Sequence, residues 1–210
     1  MKFRSIAHTA YTISVKWQEQ WGKLNRLRAA WWGVELGTSS HFIGRCFFKK
    51  YPGTNIAIGK DCTFLSKAAS NLIGINRPCI LSTHQSDYQA TIKIGNQCGF
   101  SGTVIGAFRS ISIGNHVRCG ANTLITDADW HLDDPRSGEP APIVIGDNVW
   151  LGVNCTVMKG VTIGANTVIG ANSVVTKSIP ANVIAAGNPC RVIRELPVGK
   201  NAVPFTAQQP

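Results

Sequence analysis

A six-residue beat constrains this chain more than any other feature. From Ile145 the sequence divides as IGDNVW, LGVNCT, VMKGVT, IGANTV, IGANSV, VTKSIP and ANVIAA. The first residue of each hexad is aliphatic, with one alanine. The fifth is small or β-branched: Val149, Cys155, Val161, Thr167, Ser173, Ile179 and Ala185. Upstream, IGNHVR, CGANTL and IGNQCG hold the same register. A helix repeats its apolar positions every 3.6 residues and a half-buried strand every 2, so a period of six fits neither. It fits short strands joined by tight corners, three sides to a coil of 18, with glycine or asparagine supplying the corner angles. Stacked coils would hydrogen-bond at about 4.8 Å and share one aliphatic interior that no single coil could bury. The expected fold is an all-β parallel β-helix.

A longer marker, I/V-x-I-G, ends at Gly59, Gly95, Gly114, Gly146 and Gly164, at intervals of 36, 19, 32 and 18 residues. These read as multiples of 18, apart from the 32. That interval holds one coil and 14 extra residues, and it contains "ITDADWHLDDPRSGEPAP", Ile125–Pro142. Rich in aspartate and proline, the stretch 126–142 reads as an exposed loop.

Composition narrows the class. Apolar residues make up 44 % of the 210 and charged residues 15 %, enough to bury a core. No apolar run is long enough to span a bilayer, and the N-terminus lacks the pattern of a signal peptide, so a cytoplasmic protein is expected. The seven cysteines are scattered without a CxxC pair, which argues against a disulfide framework or a thiolate metal site and for buried thiols. Net charge is +10, with nine Lys/Arg against Glu19 and Glu35 in residues 1–50. A basic appendage on a near-neutral body is not a nucleic-acid groove. Within 1–50, Ile13, Trp17, Trp21, Leu24, Leu27 and Trp31 recur at helical spacing. The segment is expected to be an amphipathic helix that packs on the β-helix or a neighbouring subunit, or touches an anionic membrane peripherally. The expected units are 1–50, helical and basic; 51–192, the β-helix; and 193–210, a short C-terminal helix and tail.

The hexads, with "GFSGTVIGAFRSISIGNHVRCGANTLITDADWH" and "GDNVWLGVNCTVMKGVTIGANTVIGANSVVTKSIPANVIAAGNPCRVIREL", resemble the hexapeptide-repeat acyltransferases over roughly 55–195. The second stretch is similar to the maltose and galactoside O-acetyltransferases, and the first to enzymes that modify surface polysaccharides. The resemblance implies a left-handed β-helix, a homotrimer with active sites between subunits, acetyl-CoA as donor, no metal, and a saccharide acceptor.

It also assigns roles. His131, opening the loop, would be the general base, since an imidazole near neutrality can take a hydroxyl's proton and return it to a leaving thiolate. Asp129 would orient that imidazole and Asp127 contact the acceptor; either could fill the other's role or cap a turn. Trp130 is expected to pack against a neighbour. Ser101 would touch the acceptor. Trp150, Gly152, Ala171, Thr176, Lys177, Arg191 and Arg194 would line the coenzyme A cleft, the arginines suiting phosphate and adenine. Amino-sugar N-acetylation, serine O-acetylation and a non-catalytic scaffold are the competing readings. A zinc carbonic anhydrase would need three convergent histidines, and His84, His116 and His131 lack that family's paired spacing.

Overall fold

The structure, a computed structural model, describes residues 20–197. The chain winds through successive three-sided coils. The first holds β1 (Glu35–Leu36), β2 (His41–Ile43) and β3 (Phe47–Lys49), and the second β4 (Asn55–Ile58), β5 (Thr63–Leu65) and β6 (Ile80–Thr83). The third holds β7 (Thr91–Ile94), β8 (Gly99–Ser101) and β9 (Val104–Ala107), and the fourth β10 (Ser110–Ile113), β11 (Arg118–Cys119) and β12 (Leu124–Thr126). The fifth holds β13 (Ile143–Ile145), β14 (Trp150–Leu151) and β15 (Thr156–Val157), and the sixth β16 (Thr162–Ile163), β17 (Val168–Ile169) and β18 (Val174–Val175). Then follow β19 (Val183–Ala186) and β20 (Arg191–Glu195).

The first strands of the six coils make one parallel sheet, face A; the third strands make face C. Face B carries the second strands and ends in β19 and β20. The hexad beat explains this build. The residue opening each hexad points inward and stacks on its equivalent one coil away, as Ile113 on Ile94 and Ile145. Phe42, Phe64 and Phe100 form a ladder up face B with ring centroids 5.0 Å apart. All seven cysteines are buried and unpaired, as expected. Burial pushes the thiols of Cys46, Cys79, Cys119 and Cys155 up, so they act as small apolar fillers.

Four expectations need correction. The β-helix begins at Glu35, not at residue 51. Leu36, Phe42 and Phe48 continue the hexads backwards, with buried Val34, Ser40 and Cys46 at the small position. That coil lacks the Ile-Gly-Asn corners that make the later ones legible, turning instead at Ser39 (φ 58°) and Gly44 (φ 85°).

The 36-residue interval is one coil and not two. β4 pairs directly with β7, and the surplus leaves the prism as two excursions, 66–79 and 84–90.

The helix over 20–31 does not pack through its apolar stripe. Its buried positions are Asn25 and Ala29, whereas Leu24, Leu27 and Trp31 are exposed; Ile13 and Trp17 lie outside the described residues. The Asn25 amide decides the orientation. It donates to the Gly44 carbonyl at 2.8 Å and accepts from Cys46 N–H at 3.0 Å, while the Arg26 guanidinium donates to the Ser40 carbonyl at 2.8 Å. The helix thereby satisfies backbone groups at the open end of the first coil.

At the other end, residues 191–195 form a strand and not a helix. After the cis Asn188–Pro189 bond the chain reverses, and β20 pairs antiparallel with β19. This covers the edge of β19 and makes β20 the last strand of face B, a demand of the sheet that outweighs local propensity.

Candidate active site

The three corners of the prism differ. The corner between faces A and B is regular, and its turns place Asp61, Gln97, His116, Asn148, Asn166 and Asn182 at φ between 56° and 60°. Asparagine tolerates this left-handed region because its short amide bonds locally. Asn148 donates to Asn166 at 3.0 Å and Asn166 to Asn182 at 3.1 Å, one coil to the next. The corner between B and C carries the excursion 66–79. The corner between C and A carries the turn 51–54, the excursions 84–90 and 127–142, and the turns holding Lys159 and Lys177.

His131 stands on this last corner with its side chain exposed, and among the described residues nothing bonds to its imidazole. What holds it is the chain around it. Asp127 is fully buried, and its carboxylate accepts Phe108 N–H at 2.7 Å and Arg109 N–H at 2.8 Å. Burial raises its pKa above the usual carboxylate range, and those amides oppose the shift. Asp127 therefore pins the root of the excursion to the previous coil, a position that does not suit the acceptor contact expected of it.

Asp129 accepts Lys159 Nζ at 2.5 Å and Gly138 N–H at 3.0 Å. Lys159 holds its carboxyl below the usual range. The bonds of Asp129 thus close the loop, and none reaches His131.

Trp130 has φ of 70°, uncommon for a bulky residue and worth about 1–3 kcal/mol of strain. Its indole offsets this by donating to Thr126 Oγ1 at 2.8 Å and packing edge-on to His84 and Phe108, with centroids 4.7 and 5.5 Å away. The ring covers Gly106, where a Cβ would lie 2.6 Å from it. The residue before His131 is thus held in an unfavourable backbone conformation by fixed partners. This fixes the backbone that leads into His131 and so where its imidazole is presented.

The expected donor residues divide between two places. Trp150, 56 % exposed, lies on face B in a cross-strand row with Arg118, Val168, Ile184 and Arg194. Gly152 and Ala171 turn the adjacent B–C corner, where a Cβ on Gly152 would come within 2.6 Å of Ala171 N. Arg191 is exposed on β20. Thr176 and Lys177 instead sit at the C–A corner, two coils beyond His131. Ser101 closes β8 at the B–C corner, where its hydroxyl accepts Asn71 Nδ2 at 3.2 Å. One chain therefore gathers His131, Thr176 and Lys177 on one edge, and Ser101, Gly152, Ala171, Trp150, Arg191 and Arg194 on or beside another. His84 and His116 lie at different corners, and among the described residues no three His, Cys, Asp or Glu side chains converge.

Sequence reasoning missed Phe108, Arg109 and Lys159. Arg109 stacks on Tyr88 with 4.4 Å to the ring centroid and donates to the Pro140 carbonyl at 3.3 Å, tying the two C–A excursions together. Lys159 had a signal, since it falls 18 residues before Lys177, one coil away on the corner that His131 interrupts.

Residues 142–177 match the family described as bacterial transferase hexapeptide (six repeats). Over 115 residues the chain is 44 % identical to the galactoside O-acetyltransferase of Escherichia coli, covering 52 % of this chain and 56 % of that one. Over 90 residues it is 44 % identical to the galactoside O-acetyltransferase of Lactococcus lactis, covering 41 % and 44 %. The chain thus spans about half the length of these relatives. A solved hexapeptide-repeat-containing acetyltransferase from Vibrio cholerae superposes with a TM-score of 0.51 at 26 % identity, covering 86 % of this chain and 90 % of that one. An N-acyltransferase from Bacillus cereus shares the fold, with a TM-score of 0.60 at 19 % identity and coverage of 78 % and 83 %. The chain carries hexapeptide transferase repeats, and its resemblance is to the hexapeptide-repeat acetyltransferases. Among the described residues no helix is long and apolar enough to cross a membrane.

Proposed function

We propose that the protein is an acetyl-CoA-dependent O-acetyltransferase acting on a saccharide hydroxyl, wound as a left-handed β-helix. The observation that carries this reading is the exposed imidazole of His131, presented on a braced excursion directly after the anchored Trp130. In this reading His131 accepts the acceptor hydroxyl's proton as the oxygen attacks the acetyl carbonyl, then returns it to the departing sulfur. Bound acetyl-CoA supplies the thioester, whose acetyl group is transferred and whose thiolate leaves. Trp150 and the arginines suit its adenine and phosphates, and the turn at Gly152 beside them carries no side chain because it packs directly on the Ala171 backbone.

A trimer would reunite the divided residues. The outer row of face C reads Phe47, Ile80, Val104, Leu124, Thr156 and Val174, nearly all apolar. The corresponding row of face A reads Glu35, Ala57, Lys93, Ser112, Val144 and Thr162. If face C turns toward a three-fold axis, the C–A corner of each copy meets the B–C corner of the next. His131 would then face a neighbour's Ser101, Gly152 and Trp150. Leu72 and Ile73, 93 % and 64 % exposed on the B–C excursion, would be covered by the same contact.

The test follows thiol release from acetyl-CoA with a panel of sugars and lipid-linked saccharides. Acceptor-dependent release should fall by about 10²–10⁴ in His131→Ala with coenzyme A binding retained. Equal release by both proteins would remove His131 from the mechanism, and absence of coenzyme A binding would favour a scaffold.

A further inference from the structure

The excursion 84–90 does more than support Trp130. It has a cleft on each side. One, of about 200 Å³, lies between it and the turn 51–54; the other, of about 90 Å³, lies between it and the excursion bearing His131, and includes Leu132. Ser86, Asp87 and Tyr88 line both, so the two clefts adjoin across this excursion as a surface path along the C–A corner, whose nearer end reaches Leu132, the residue after His131.

The walls are fixed. Thr54 Oγ1 donates to the Tyr51 carbonyl at 2.6 Å and meets Thr83 Oγ1 at 2.6 Å, which sets the first turn. Ser86 Oγ bonds to Tyr88 N–H at 3.2 Å and to the Phe108 carbonyl. Tyr88 rests on Arg109, which reaches across to Pro140. His84 stacks on Phe108 with centroids 4.6 Å apart, and its ring nitrogen bonds Ser82 Oγ at 2.9 Å.

The lining is chemically selective. It presents Tyr51 and Tyr88, the amides of Gln85 and Gln89, and the carboxylates of Asp87 and Glu139, with no lysine or arginine. In a chain of net charge +10, a lining with two carboxylates, beside which the cations Arg109 and Lys159 are already engaged by the Pro140 carbonyl and Asp129, disfavours phosphates and other anions. Aromatic faces with amides and carboxylates instead match a neutral, hydroxyl-rich ligand. Each cleft is below the ~300–1,000 Å³ that encloses a drug-sized ligand, so the ligand lies across the path and is not swallowed by it.

We infer that this path is an extended acceptor subsite that takes a neutral oligosaccharide chain, with the sugar nearest Leu132 presented to His131 and the following sugars crossing Tyr88 toward Tyr51. The inference rests on the saccharide-acceptor reading and makes the acceptor a chain and not a free mono- or disaccharide.

The test displays immobilised bacterial-type glycans of two to eight sugars, neutral and anionic, to the full chain in the presence of coenzyme A. Neutral glycans of four or more sugars should be held at least tenfold more tightly than disaccharides. Tyr51→Ala and Gln89→Ala, whose side chains are exposed, should each remove at least tenfold of that advantage at unchanged melting temperature, without altering His131-dependent transfer to a small acceptor. Retention by His131→Ala without acetyl transfer from any protein would support the subsite while overturning the transferase reading. Retention independent of chain length, unaffected by both substitutions, stronger for anionic glycans, or absent for every glycan would overturn the subsite.

Discussion

The A–B and C–A corners are built from the same coils and face opposite tasks. At A–B, each turn repeats the last, and the side-chain amides bond to one another along the prism. The Asn96–Asn115–Asp147 and Asn148–Asn166–Asn182 side chains there are spent on the neighbouring coil. At C–A, the chain leaves the prism twice, and the amides and carboxylates that leave with it hold loops in place. Asp127 serves backbone N–H groups, Asp129 serves Lys159 and Gly138, and His131 alone among these is left facing outward. A repeat satisfies itself; a site requires residues withheld from the repeat. The difference explains why a β-helix can hold chemistry at one edge without loosening the rest.

Perturbing Asp127 should break the comparison most. Asp127→Ala strands two buried N–H donors, a loss of about 3 kcal/mol, and frees the root of the His131 excursion. Denaturant titration should show that loss, with a fall in kcat at least as large as that for any other bracing residue. Wild-type stability would place the excursion's anchor elsewhere.

The Asp129–Lys159 pair should matter less. It is partly solvated, with side-chain exposures of 33 % and 25 %, so Lys159→Met should cost at most about 1 kcal/mol and lower kcat a few-fold. Because the Asp129 pKa is depressed, its contribution is complete above about 3.9 and is lost as pH falls through the depressed value. Loop order followed by Trp130 fluorescence should therefore be flat from neutrality to about pH 4 and fall below it in wild type. Lys159→Met should lack that step. A step near neutrality in both proteins would contradict the assignment.

The smallest effect on catalysis belongs to the regular corner. Asn166→Ala puts an alanine at φ 58°, costing about 1–2 kcal/mol of stability and leaving kcat and KM unchanged. A change in kcat would mean that the A–B corner is not separate from the site.

Much of this was legible in the sequence because hexads report on backbone geometry directly. The coil interior, the buried cysteines and the excursion around His131 all follow from where the beat holds and where it stops. The first coil was hidden because its hexads turn at Ser39 and Gly44 instead of at Gly-Asn. The second was miscounted because its surplus of 18 residues equals one coil by coincidence. The role of Asp127 was illegible for another reason: whether a carboxylate faces a substrate or the backbone one coil away depends on pairing between residues 18 or 19 apart. The division of the site between two corners is likewise a property of the closed prism, visible only once the coils are stacked.

Whether the two edges work together across copies can be measured directly by mixing. His131→Ala and a Trp150→Ala/Arg194→Ala double variant are each inactive in the shared-site account. Unfolded together in equal amounts and reassembled, they should recover about one quarter of wild-type acetyl transfer, since a ring with random assortment pairs an intact His131 with an intact neighbouring donor face in that fraction of interfaces. No recovery, with both variants assembled and coenzyme A binding by His131→Ala intact, would contradict a site built from two copies.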